Sequence, residues 1–319
     1  MSQTSNPITV ILNPTASGGT GSALRAPLER KLSDGKMRFD LRLTEGPGHA
    51  TELAHQAARD GAEKILAVGG DGTVHEVANG VLEAGVPTPA LAVLPVGTGN
   101  DFFRMIGPNK GPDGALDLLR NGEVRWFDVG RVRLRSGTRF FVNLLGVGID
   151  VEILRRRGRF QRLRGLSQYL AALASALTTF RPVPFRVSFK TNESPVAFQV
   201  VEERTILAAL TVGPSVGGGF LLNPDASPYD GLLDLFFVRT LGILKIARCI
   251  PKVLRGSRLE VPEVLQKTVT EAVIERSDGE PFFFEMDGEC MPEPEPSLEI
   301  DVCSSKLPVL VPGGDPCEP

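Results

Sequence analysis

The chain has 319 residues, roughly two domains at about 150 residues each, and its 42% hydrophobic and 23% charged content excludes disorder as the main state. Thirty-five Lys and Arg against 38 Asp and Glu leave a formal charge of −3. No global field attracts nucleic acid, so any anionic partner must be met by a local patch.

The opening MSQTSNPITVILNP lacks a basic start followed by an apolar run of about 7–15 residues. No apolar run approaches the ~18 residues that span a bilayer, and the sequence predicts a cytoplasmic protein. Cys249, Cys290, Cys303 and Cys317 show no CxxC spacing and read as reduced thiols. His49, His55 and His75 offer no i,i+4 pair for zinc.

Over residues 1–128 short apolar runs alternate with amphipathic stretches: ITVIL then SALRAPLERKL, DLRLT then ATELAHQAARDG, KILAVGG then VHEVANGVLEAG, ALAVLP then DFFRMIG. Strands alternating with helices predict a mostly parallel sheet with flanking helices. Residues 129–303 change character. TRFFVNLLGV, PFRVSFK, VAFQVVE, TILAALTVG, LLDLFFVR, TVTEAVIE, PFFFEMDGE and SLEIDV read as strands separated by Gly, Pro, Asn and Ser, which predicts an antiparallel β domain. Two stretches within it, 166–180 and 241–256, look helical. Residues 304–319 hold one more strand, assignable to either domain, and a fraying end.

Three glycine-rich segments follow strands of the first domain: NPTASGG from Asn13, GGDGT from Gly69 and VGTGND from Val96. Glycines let backbone N–H groups approach a phosphate closely, and a helix start behind them adds unpaired donors and a positive dipole end. None is GxGxxG or GxxxxGK[ST], so neither the dinucleotide fingerprint nor the Walker A loop is present.

In PFFFEMDGE, period-2 alternation sets Phe283, Glu285 and Asp287 on one face and Phe282, Phe284 and Met286 on the other. Asp287 then ends an apolar strand, where desolvation is expected to raise its pKa toward a base's working range. The same Asp-Gly pair also reads as a hairpin turn, and PYDG alone reads as a β-turn. Residues 213–217 match GxSxG, but no helix follows and every His lies upstream, which excludes a nucleophile elbow. Arg155, Arg156, Arg157, Arg159, Arg162 and Arg164 crowd the segment before LSQYLAALASALTTF.

Taken in order, NPTASGG, GGDGTVHEV, VGTGNDFFR, SPYDGLLDL and MDGE resemble the diacylglycerol kinase family of lipid kinases, from residue 8 to about 303. The resemblance implies an α/β plus β architecture of the NAD kinase and diacylglycerol kinase kind, its second domain an antiparallel β-sandwich. It implies ATP-dependent transfer of the γ-phosphate to a lipid hydroxyl of diacylglycerol, phosphatidylglycerol or sphingoid type, with ATP and Mg2+. Asn13, Gly69, Gly70, Asp71, Gly72, Thr73, Gly97, Thr98, Gly99 and Asn100 match the family's nucleotide segments. Thr44 matches a threonine that contacts ATP, and Glu289 matches a residue at the nucleotide. Asp287 matches the general base. Ser227, Asp230 and Leu232 match a magnesium site of one Asp side chain and main-chain oxygens. A second magnesium is expected with the nucleotide, on a carboxylate the sequence does not single out.

There are two departures: Ser17 stands where the family usually has Gly, and Pro214 where relatives often have Asn. A lipid kinase must reach a headgroup in a bilayer, so the six arginines are expected to dock the protein peripherally on anionic membranes. The rival reading is a charged loop leading into a core helix. Two other functions fit part of the pattern, an NAD kinase-like enzyme with a soluble substrate and a non-catalytic, nucleotide-gated lipid-binding protein. The lipid and the oligomeric state, a dimer included, stay open, and no nucleic-acid partner is expected.

Overall fold

A computed structural model describes residues 6–97, 99–107, 111–160, 162–163 and 165–313. They form two compact units, one running up to Phe127 and resuming at Ser305, the other running from Asp128 to Ser304.

In the first unit β1 (Ile8–Leu12), α1 (Ala16–Asp34), β2 (Phe39–Leu43), α2 (His49–Arg59), β3 (Lys64–Gly69), α3 (Asp71–Glu83) and β4 (Ala90–Pro95) alternate. Helices α4 (Asp101–Ile106) and α5 (Gly111–Asn121) and strand β5 (Glu123–Leu134) follow. The four parallel strands lie in the order β2-β1-β3-β4. Strand β3 is buried after Lys64 and β4 up to Pro95, as strands covered on both faces must be. Val10, Leu12, Leu66 and Val68 meet Leu28 of α1 and Leu118 of α5 in the core; truncating one of these leucines costs about 2–5 kcal/mol. Strand order reverses between β1 and β3, and the loops outside the carboxyl ends at such a reversal are where open α/β sheets take ligands.

The second unit contains β6 (Gly137–Phe141), β7 (Leu144–Gly148), α6 (Ile149–Arg157), a 3-10 turn (Gly158–Phe160) and α7 (Leu166–Leu177). Next come β8 (Val183–Thr191), β9 (Ser194–Thr211), the short β10 (Ser215–Val216) and β11 (Phe220–Leu221), β12 (Leu233–Arg239) and α8 (Ile243–Leu254). Strands β13 (Val264–Val269), β14 (Glu271–Arg276), β15 (Phe284–Met286), β16 (Glu289–Cys290) and β17 (Ser297–Val311) complete it. The pairings in the order β16-β15-β7-β9-β8-β14-β17, with β12 joining β9 to β13, are antiparallel, and the strands form a sandwich. Leu145, Phe185, Phe237 and Phe284 fill one core. A second lies under α6, α7 and α8, around Ile149, Ile153, Ala172 and Phe236. Strand β17 begins here and ends in the first unit, where Val309 runs parallel to Leu91 of β4.

Three local differences from the sequence reading have physical causes. The arginine-rich segment starts as a helix, α6, not a loop: Asp150 and Glu152 occupy its first turn and Arg155, Arg156 and Arg157 its last, each charge at the favourable dipole end. VAFQVVE and TILAALTVG belong to one continuous strand, β9. TRFFVNLLGV is two strands, broken at Val142 and Asn143.

Candidate active site

The glycine loops of the first unit converge at the carboxyl ends of its strands. Asn13, just past β1, donates its side-chain amide to Thr73 Oγ1 (3.1 Å) and accepts from the N–H and hydroxyl of Thr15 through Oδ1 (3.0 and 2.8 Å). Thr44, buried just past β2, donates its N–H to Leu12 (3.0 Å). Gly70 precedes α3, whose first turn is Asp71, Gly72 and Thr73, and no side chain caps that helix start. The N–H groups there keep the directions that suit an anion. A Cβ on Gly97 would lie 2.9 Å from Gly70 Cα, so two bare backbones meet where the loops touch.

Asn100, left-handed at φ 52, donates its side-chain amide to Gly97 O (2.8 Å), and its buried Oδ1 has no hydrogen-bond partner among the described residues. Asp71 Oδ1 accepts the N–H of Phe102 (3.3 Å), tying the second glycine loop to the third. Gly69, Gly97, Gly99 and Asn100 therefore fall in one neighbourhood with Asn13; Thr98 lies outside the described residues. Ser17, Gly18 and Gly19 are all left-handed, at φ 51, 68 and 97. The serine takes on the strain of a non-glycine there.

In the second unit Asp287 is not on a strand face. Strands β15 and β16 pair through Glu285 with Cys290 and Met286 with Glu289, and Asp287 and Gly288 form the two-residue loop between them, at φ 50 and 88. Positive φ at both positions is the hairpin chemistry of Asp-Gly, so the turn and the proposed base are one feature. Asp287 is buried, and both its carboxylate oxygens accept backbone N–H groups: Oδ2 from Val142 (3.0 Å), Oδ1 from Asn143 (2.8 Å) and Leu144 (3.0 Å). Those donors are the break between β6 and β7 and the first residue of β7. Asn143 also donates its side-chain amide to Ser215 O (2.9 Å), and its buried Oδ1 has no hydrogen-bond partner among the described residues. Glu289 is exposed at the start of β16.

Burial raises carboxyl pKa values here, at two residues the sequence reading did not single out. Glu285 is pushed well above the usual carboxylate range by burial and then by the charge of Asp150. Burial also raises Asp150, against hydrogen bonds from Tyr169 and Glu285. Glu285 Oε2 accepts the N–H of Gly288 (2.9 Å), while Oε1 lacks a partner as long as both acids are charged. A proton held on Glu285 and donated to Asp150 satisfies both. Tyr169 donates its hydroxyl to Asp150 Oδ1 (2.7 Å) and packs on Phe220, with ring centroids 4.9 Å apart. The signal for Glu285 was a lone acid inside the apolar run PFFFEM.

Asp150 and Tyr169 sit in the wall of an apolar cavity of about 120 Å3, otherwise lined by residues such as Ile153, Leu173, Ile206, Phe220 and Ile250. Its lining suits hydrocarbon.

Ser227, Asp230 and Leu232 lie together in the turn before β12. Asp230 Oδ1 accepts the N–H of Leu232 (3.0 Å), and Asp128 Oδ2 accepts that of Gly231 (2.7 Å). Among the described residues no group of three or more His, Cys, Asp or Glu side chains is arranged to hold a metal ion. Magnesium here would lean on Asp230, main-chain oxygens and water. The donor chemistry fits: burial and the charge of Asp128 raise Asp230, and burial with the charges of Asp230 and Asp225 pushes Asp234 up to about 7. A hard cation relieves that repulsion.

The five described arginines of this segment do not form one surface. Arg156 is tied to the α7 end, donating to Ser175 O (2.6 Å) and Thr179 Oγ1 (2.5 Å), and Arg155 lies 4.3 Å over the ring of Phe283. Arg157 is half-buried, its charge acting on Asp150. Arg159 and Arg162 are exposed, and Arg164 lies outside the described residues.

Residues 7–132 match the family described as diacylglycerol kinase catalytic domain, and residues 143–311 match the YegS C-terminal NAD kinase beta sandwich-like domain. The chain is 30% identical over 261 residues to the diacylglycerol kinase of Mycobacterium tuberculosis strain H37Rv, covering 81% of each chain. It is 28% identical over 258 residues to the diacylglycerol kinase of Bacillus subtilis strain 168, covering 80% of this chain and 81% of that one. A crystal structure of a diacylglycerol kinase from Bacillus anthracis strain Sterne superposes with a TM-score of 0.73 at 22% identity, over 98% of this chain and 99% of that one. That last likeness concerns the fold.

Proposed function

Because the chain belongs to the diacylglycerol kinase family and is a lipid kinase, we propose that it transfers the γ-phosphate of ATP to the free hydroxyl of diacylglycerol. The observation that carries this reading is the apolar cavity with Asp150 in its wall, joined through Glu285 to the turn that presents Asp287. A hydrocarbon-lined site suits a lipid acceptor and offers a soluble dinucleotide little to hydrogen-bond. The relatives named diacylglycerol kinase support the choice of acceptor.

In this reading the backbone N–H groups at Gly70, Asp71, Gly72 and Thr73, with the loop from Gly97 to Asn100, hold the phosphates. Asn13 and Thr44 stand at the same strand ends. Asp287 accepts the proton of the lipid hydroxyl as its oxygen bonds to the γ-phosphorus. The bond from that phosphorus to the β,γ-bridging oxygen breaks, and ADP leaves with the electron pair. The three amides around Asp287 fix its position, which is most of what phosphoryl transfer asks of a protein. Magnesium, held at Asp230 with main-chain oxygens of Ser227 and Leu232, would supply positive charge that steadies the acidic turn beside β12. Glu289 is the second acid of the motif, assigned to the nucleotide.

The test is γ-labelled ATP incubated with diacylglycerol, phosphatidylglycerol, a sphingoid base or NAD. Label entering the organic phase with diacylglycerol is expected. Label on NAD, or ATP bound without transfer to any lipid, overturns the reading.

A further inference from the structure

Helix α8 has two faces, and among the described residues one of them is packed and the other exposed. Ile246, Cys249, Ile250 and Val253, at helical spacing, line the apolar cavity. On the opposite side Leu244, Arg248, Pro251 and Arg255 follow one another at i, i+4, i+7 and i+11, all exposed. Leu244 is 73% exposed and its neighbour Ile243 59%. Two large aliphatic side chains at the open end of a helix whose apolar stripe is already filled do nothing for folding.

The charges point the same way. The helix carries Lys245, Arg248 and Lys252, with Arg255 directly after it, and no acidic residue. Lys245 pairs with Glu263, whereas Arg248, Lys252 and Arg255 have no ion pair among the described residues. This local positive patch stands on a chain of net charge −3. A favourable C-terminal dipole accounts for Lys252 and Arg255. It does not account for Ile243 and Leu244 at the other end.

We propose that α8 docks on an anionic lipid bilayer. Ile243 and Leu244 enter the boundary between headgroups and acyl chains, and Arg248, Lys252 and Arg255 meet lipid phosphates. The helix that lines the cavity then also faces the membrane, so an acyl chain reaches the cavity beside α8 with little exposure to water. The inference rests on the lipid-kinase reading for the use made of the docking, but not for the docking itself.

The experiment is sedimentation of the full chain with vesicles of phosphatidylcholine alone or mixed with phosphatidylglycerol. Binding to the mixed vesicles that weakens with salt is expected. Ile243→Ser with Leu244→Ser, and separately Arg248→Ser with Lys252→Ser and Arg255→Ser, should each weaken binding about tenfold or more, with circular dichroism unchanged. Wild-type binding by both variants overturns the proposal, as does loss of binding in Arg159→Ser with Arg162→Ser alone, which would move docking to the segment before α7. Activity on a short-chain diacylglycerol dissolved as monomers separates the two readings. Both α8 variants should phosphorylate it at the wild-type rate. If the wild type itself does not, the kinase reading fails while the vesicle result still stands.

Discussion

The backbone N–H of Asn143 donates to Oδ1 of Asp287 at 2.8 Å, and the bond exists because the apolar run around Asn143 breaks between β6 and β7. Leu144 donates to the same oxygen and Val142 to the other, so all three of these backbone groups act on the carboxylate as donors. Asp287→Asn must turn an amide NH2 toward at least one of those N–H groups. The variant is expected to lose about 1–3 kcal/mol of stability and at least about a hundredfold in phosphoryl transfer, while ATP affinity measured by calorimetry changes little. Near-wild-type turnover would remove Asp287 from the role of base.

Gly97→Ala tests the meeting of the glycine loops. Its Cβ would lie 2.8 Å from Asn100 Oδ1, which can rotate away, and 2.9 Å from Gly70 Cα, which cannot. Relief requires the two loops to separate, at an overpacking cost of about 1–3 kcal/mol. If that strain is released when the phosphates leave, the affinity for ATP falls roughly tenfold or more. Vesicle binding, which involves other residues, should not change. Unaltered ATP affinity would place the phosphates elsewhere.

Most of the architecture was legible because it rests on periodicity. Parallel strands followed by helices announce themselves in ITVIL, KILAV and ALAVLP, and the glycine loops sit at the strand ends where such sheets bind ligands. What was not legible depends on where a chain stops being regular. In TRFFVNLLGV a lone Asn between apolar residues is the one mark of a break, yet that break and the first residue of β7 supply the three amides around Asp287. Asp287 was placed on a strand by alternation, whereas the turn preference of Asp-Gly overrides the alternation one residue earlier. Glu285 and Asp150 are 135 positions apart and only folding brings them together. Arg156 looked like surface charge in a run of arginines, and its position on α6 turns it toward Ser175 and Thr179 instead.

The Glu285 and Asp150 pair gives a pH signature. Glu285 has a folded-state pKa raised well above 4.5, chiefly by burial and then by Asp150. Between 4.5 and that raised value the native state holds more protons than the unfolded chain, so the contribution of Glu285 is fully present at low pH and is lost as pH rises. Asp287, Tyr169 and the charge of Arg157 surround the pair. Glu285→Gln keeps the shape and a donor toward Asp150 without a titrating proton. Its melting temperature should fall less than that of the wild type as pH is raised from mildly acidic to alkaline. Parallel profiles would show that Glu285 does not hold the proton.

The cavity makes a prediction about chain length. Val216, buried in β10, faces it together with Phe220 and Ile250. Val216→Phe adds a ring next to about 120 Å3 of empty space, so the overpacking that a larger residue normally causes is largely absent and the melting temperature should hold or rise. If acyl chains occupy that space, the added ring shortens what fits. KM for long-chain diacylglycerol should then rise about tenfold or more, because each buried CH2 contributes about 0.8 kcal/mol and two displaced methylenes already exceed the 1.4 kcal/mol of a tenfold change. A short-chain diacylglycerol should keep its wild-type KM. Equal rises for both lengths would mean that the ring disturbs Tyr169 and Asp150 rather than the chain, and no change for either would mean that acyl chains do not enter the cavity.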